Sequence, residues 1–170
     1  MTQTHKTIFK YFGIIIVFLI FSIFIAFFRA TDHGNAPSLL GAKTVVGGEL
    51  EEILIAGKPT IYYFWATWCT VCKANEPFLK ASAINHHERG FNIISLEEGH
   101  GNYEDLEKLV NEKEINYPLA MINAHILREF QIHSYPTTVF ADKNGVIRFV
   151  DTGILNPISF WIRLRILRIL

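Results

Sequence analysis

The sequence predicts an α/β domain with a mixed central sheet. A run of β-branched and aromatic residues, Thr60 to Ala66, enters from Pro59 and reads as a short strand buried on both faces. From Cys69 onward the β-formers give way to Lys, Ala, Asn and Glu, so a helix starts at the first cysteine. Near the other end, Thr137–Ala141 and Val146–Val150 alternate around Asp142-Lys-Asn-Gly145, and Asn-Gly is a strong hairpin signal.

The remaining elements follow in order. Val45-Val46, Gly47-Gly48 and the stretch Glu49–Leu54 suggest a short strand, a turn and a helical piece. The helix from Cys69 runs to about Asn85 and contains Pro77, which removes a hydrogen bond and should kink it. Phe91–Leu96 is a strand, Glu97–Asn102 a loop, and Tyr103–Lys113 an amphipathic helix with Leu106, Leu109 and Val110 on one face. Pro118–Ile122 reads as a short strand and Ala124–Phe130 as a short helix. The tail Ser159–Leu170 sets three arginines among Ile, Leu, Phe and Trp, and reads as a terminal helix packed on the sheet. Contact of that tail with anionic lipid is the alternative.

Composition bounds the function. At 170 residues there is room for one domain besides a hydrophobic stretch. Net charge is zero and the pI is near neutral, which argues against nucleic-acid binding driven by phosphate charge. Tyr11 to Phe28 carries no charge and is long enough to span a bilayer. Lys6 and Lys10 precede it, Asp32 soon offsets Arg29, and Phe27-Phe28-Arg29-Ala30 is a poor cleavage site. The positive-inside bias then makes residues 1–10 cytoplasmic, 11–28 a signal anchor, 29–43 a polar tether and 44–170 the outward-facing domain.

Both cysteines of the chain lie in Trp68-Cys69-Thr70-Val71-Cys72, where a central strand hands over to a helix N-terminus. Unpaired N–H groups and a partial positive charge favour an anion there, so a thiolate at Cys69 is stabilised, and the thiolate is the nucleophile of disulfide exchange. Cys72 lies one turn on and can close a ring with Cys69. Cys69 is expected exposed and attacking, Cys72 more buried and resolving. A zinc site needs two more ligands, and neither a second Cys pair nor a His-x3-5-His pattern occurs, so no metal and no cofactor are expected.

Phe64-Trp-Ala-Thr-Trp-Cys-Thr-Val-Cys-Lys73 resembles the active-site segment of thioredoxin-like proteins of the membrane-anchored TlpA/ResA/DsbE type. Ser134-Tyr-Pro-Thr-Thr-Val-Phe140 resembles the strand that carries their cis-proline, and Phe149–Leu167 is similar to the ScsD-like proteins named for suppression of copper sensitivity. The resemblance covers Thr44 to the C-terminus. It implies a three-layer α/β/α sandwich and a protein-disulfide oxidoreductase anchored in a bacterial inner membrane and facing the periplasm. Cys69 and Cys72 are the implied catalytic pair, and Trp68, Thr70, Val71, Tyr135, Pro136 and Thr137 the implied substrate-binding rim, with Trp68 shielding the sulfurs. Protein thiols and disulfides are the implied substrates, and a transmembrane thiol reductase of the DsbD kind the implied electron donor. A reductase for cytochrome c maturation and a non-catalytic copper-binding or thiol-protecting module are the alternatives.

One departure stands out. Where the family pattern usually places a glutamate three residues after the second cysteine, this chain has Asn75, and Glu76 follows it, read as a solvated surface charge. His86-His87, on the helix, are read as solvated and His133 as a loop bystander.

Overall fold

The structure is a computed structural model that describes residues 11–18, 34–98 and 102–170. The chain divides into two units, Met1–Thr31 and Asp32–Leu170. In the first, residues 11–18 are helical and exposed, and the rest of the expected anchor lies outside the described residues. Among the described residues no helix is long and apolar enough to cross a membrane.

The second unit carries strands β1 (Lys43–Val46), β2 (Thr60–Trp65), β3 (Asn92–Glu98), β4 (Leu119–Ile122), β5 (Thr137–Ala141) and β6 (Ile147–Thr152). Its helices are α1 (Leu50–Ile53), α2 (Thr70–Ala83), α3 (Tyr103–Glu112), α4 (Ala124–Glu129) and α5 (Pro157–Ile169). The sheet order is β1-β4-β3-β2-β5-β6. β3 pairs parallel with both β2 and β4, and the other pairings are antiparallel, so the sheet is mixed. Strand β2 sits inside it with every residue buried, which is why it reads as an unbroken apolar run.

Alternation along β2 sorts the two faces. Tyr62 and Phe64 join Ile94, Leu96, Val139 and the α4 residues Ile126 and Leu127 in one core. Ile61 and Tyr63 turn the other way, toward α2 and α5, where Phe160 meets Phe78, Phe91 and Phe140 ring to edge. Helix α5 is held by its N-cap Asn156 and buries Phe160, Leu164 and Leu167. Arg163 lies over the Phe140 and Phe149 rings and pairs with Asp151.

The hairpin forms where Asn-Gly signals it, but Gly145, with φ of 79°, is the residue that takes the left-handed conformation. Gly145 N–H donates to the Asp142 carbonyl and Asp142 N–H to that of Val146, a type I turn closed by a glycine bulge. The Asp142 carboxylate accepts from Asn144 and Val146 N–H and pairs with Arg148.

Two expectations are corrected. The tether ends earlier than residue 43: Ala36 N–H donates to the Gly145 carbonyl, Ile147 N–H to that of Gly34, and Leu39 is buried in the core. Residues 34–43 are therefore part of the domain. The loop expected from Glu97 begins later, because β3 continues through Glu98. Glu97 is fully buried yet satisfied in part by the Thr67 N–H, which donates to its carboxylate at 3.4 Å.

Candidate active site

Strand β2 ends at Trp65, and a turn closed by Cys69 N–H on the Ala66 carbonyl, at 3.0 Å, brings the chain round into α2. Cys69 is the N-cap. Its sulfur accepts the Cys72 N–H at 3.1 Å, the place usually filled by a Ser, Thr, Asp or Asn oxygen. No acidic residue lies in the first turn of α2, so nothing there opposes the helix field on a thiolate. Cys69 and Cys72 are joined by a disulfide, with Cα atoms 5.3 Å apart.

The expected contrast in exposure does not hold: Cys69 is 6% and Cys72 4% exposed. The open surface belongs to their neighbours. Trp68 is 71% exposed, and Thr70 and Val71 are exposed beside it. Trp68 sets its ring edge against Tyr135 at 5.8 Å, so it stands over the β5 side of the site.

Strand β5 brings the second half of the site to the same end of the sheet, since Thr137 pairs with Phe64. The Tyr135–Pro136 peptide is cis. Pro136 is buried, and its carbonyl accepts the Gly153 N–H at 2.8 Å. Thr137, expected to meet substrate, is 4% exposed; its hydroxyl donates to the Ser134 carbonyl at 2.8 Å and lies 3.3 Å from that of Thr152. Thr137 shapes the loop and is not free to bind through its side chain. Burial pushes the Tyr135 phenol well up, and a hydrogen bond to Glu98 and the charges of Glu98 and Glu97 push it further. Tyr135 stays a neutral donor at any working pH.

Residues 36–150 match the model of the AhpC/TSA family. The chain belongs to the AhpC/TSA family. It is similar to the thiol:disulfide interchange protein DsbE of Escherichia coli (strain K12), 29% identical over 143 residues, covering 74% of this chain and 72% of that protein. It is also similar to the thiol-disulfide oxidoreductase ResA of Oceanobacillus iheyensis, 28% identical over 103 residues, covering 60% of this chain and 53% of that protein. Among solved structures, a thiol-disulfide isomerase from Corynebacterium glutamicum matches with a TM-score of 0.64 at 20% identity, over 81% of this chain and 96% of that one. That likeness carries the fold alone, which is thioredoxin-like.

Within this AhpC/TSA-family site, the two positions behind Cys72 have roles that sequence reasoning missed. Asn75 is buried. Its Nδ2 donates to the Tyr63 hydroxyl at 3.2 Å and to the Gly153 carbonyl at 3.3 Å, and its Oδ1 accepts the Leu155 N–H at 2.9 Å. It ties α2 to the link between β6 and α5, which also supports Pro136. Tyr63 in turn donates to the Cys72 carbonyl at 3.4 Å, and burial pushes its phenol up to about 12, partly offset by the Asn75 bond. Asn75→Ala takes the side-chain partner from the Leu155 N–H and the Gly153 carbonyl and leaves the Tyr63 hydroxyl only its bond to Cys72, and a loss of about 2–3 kcal/mol is expected in urea unfolding. A loss below about 0.5 kcal/mol would show that water replaces the amide.

Glu76 is not a solvated charge. Its oxygens pair with Lys80 and Lys113, each at 3.2 Å, and it lines a cavity of about 90 Å³ together with Trp65, Cys72, Lys113 and Tyr117. The signal for Lys113 lies 37 residues away in sequence, beyond any local pattern. His86 and His87 fall beyond the helix, which ends at Ala83, and are half-buried rather than solvated on opposite sides: their ring centroids lie 4.0 Å apart with the planes tilted by 52°. The His86 Nδ1 lies 2.9 Å from the Ala83 carbonyl, and the His87 Nε2 lies 3.2 Å from that of Ile53. His133 is exposed. Among the described residues no cluster of three or more metal-ligating side chains occurs.

Proposed function

We propose that this chain reduces protein disulfides in the periplasm from a single-pass anchor in the bacterial inner membrane. The observation that carries the reading is the Cys69–Cys72 disulfide at the cap of α2, under an exposed rim of Trp68 and Val71 and beside the Tyr135–Pro136 loop. In the reduced protein the Cys69 thiolate attacks one sulfur of a substrate disulfide. A mixed disulfide forms, and the first substrate thiol leaves as thiolate. Cys72, deprotonated, then attacks Cys69, releasing the second substrate thiolate and closing the Cys69–Cys72 bond. Two electrons pass to the substrate. A transmembrane thiol reductase of the DsbD kind restores the dithiol, which an oxidising periplasm otherwise keeps closed.

The location rests on the charge-free stretch 11–28 behind Lys6 and Lys10. A link to copper tolerance rests on the likeness of Phe149–Leu167 to ScsD-like proteins. A role in cytochrome c maturation has the DsbE and ResA likenesses in its favour, but Asn75 stands where that pattern places its glutamate and is fully used in structure.

The test is the reduction potential of the pair in the domain from residue 34. A reductase requires a value near that of thioredoxin, about −270 mV. A value near that of DsbA, about −120 mV, would make the protein an oxidant or isomerase and end the reductase assignment.

A further inference from the structure

Helix α5 buries one face and leaves the opposite one bare. Ile158, Ile162 and Ile169 are 72%, 54% and 82% exposed, and Arg165 is exposed among them. At 100° per residue these four positions fall within an arc of about 60°. A bare stripe of three isoleucines is costly in water and has no part in the fold, since Phe160, Leu164 and Leu167 hold the helix from the other side.

The flank of the stripe is cationic. Trp161, half-buried, and Arg168 lie on the same side as Arg165, and the Arg89 guanidinium stacks on the Trp161 ring at 4.4 Å. Arg168 donates to the Arg89 carbonyl, which ties the two cations together. Helix α5 contains no acidic residue. Of the acids on neighbouring elements, Asp151 is occupied by Arg163, on the far flank, and Glu88 is exposed on the loop that bears Arg89. Isoleucines backed by three arginines and an edge tryptophan match an interface with apolar depth and negative charge.

We propose that this face of α5 seats the domain on an anionic lipid surface, with Ile158, Ile162 and Ile169 entering the headgroup boundary and Arg89, Arg165 and Arg168 meeting lipid phosphates. Binding does not depend on the redox chemistry proposed above.

The domain from residue 34 closes its own sheet and core, so it can be tested without the apolar segment 11–28. It should sediment with vesicles of phosphatidylglycerol and phosphatidylcholine, bind far less to phosphatidylcholine alone, and be released by salt. Ile158→Ser with Ile162→Ser and Ile169→Ser should abolish binding while thermal unfolding and disulfide exchange in solution stay unchanged. Arg165→Gln should weaken it about fivefold. Failure to bind phosphatidylglycerol vesicles, or equal binding by the triple variant, overturns the proposal. So does a concentration-dependent dimer that the triple variant loses, because the stripe would then belong to a second copy.

Discussion

Cys72→Ser should accumulate mixed disulfides on Cys69, and Cys69→Ala should form none. With a model disulfide substrate, turnover by either variant should fall to the uncatalysed background. The asymmetry cannot come from exposure, since both cysteines are buried in the disulfide. It comes from position. Cys69 caps α2 and accepts a backbone N–H, so its thiolate is the one held by the helix terminus. Cys72 lies inside the helix against Tyr63, with its neighbours committed to structure. Non-reducing gels and mass spectrometry of acid-quenched reactions read the adduct directly. Adducts on Cys72 in a Cys69→Ser protein, with none on Cys69 in the reverse variant, would invert the assignment.

Phe160→Ala carries the largest expected loss of stability, about 3–5 kcal/mol. The Phe160 ring is buried and meets Phe78 at 5.1 Å, Phe140 at 5.7 Å, Phe91 at 6.5 Å and Trp161 at 5.1 Å. It joins α2, β5 and α5 at one point, so truncation opens a cavity among rings that cannot all move inward. The loss corresponds to a drop of roughly 10–20 °C in the unfolding midpoint. Phe160→Leu, closer in volume, should cost only about 1–1.5 kcal/mol. If Phe160→Ala cost less than about 1 kcal/mol, α5 would be a loosely attached helix, and the bare stripe on it would need another account.

Much of this was legible in order along the chain. Strand β2, the start of α2 at the CxxC, the hairpin at Asn-Gly and the terminal helix all carry their signals within a few residues. Local propensity, periodicity and turn chemistry act over that range. The same holds for Cys69 and Cys72, whose pairing needs only one helical turn.

The α/β class, the place of the dithiol at a strand-to-helix junction and the apolar stretch at 11–28 all follow from residues that are neighbours in the chain. Tertiary structure decided what depends on a partner far along the chain. Asn75 gains its role from Gly153 and Leu155, Glu76 from Lys113, and residues 34–36 from the 145–147 hairpin. Thr137 is turned inward by Ser134 and Thr152, and the isoleucines of α5 are left outside because Phe160, Leu164 and Leu167 claim the sheet. A polar side chain reads as solvated until the fold presents it with a buried backbone group, and an apolar one reads as core until the core is full.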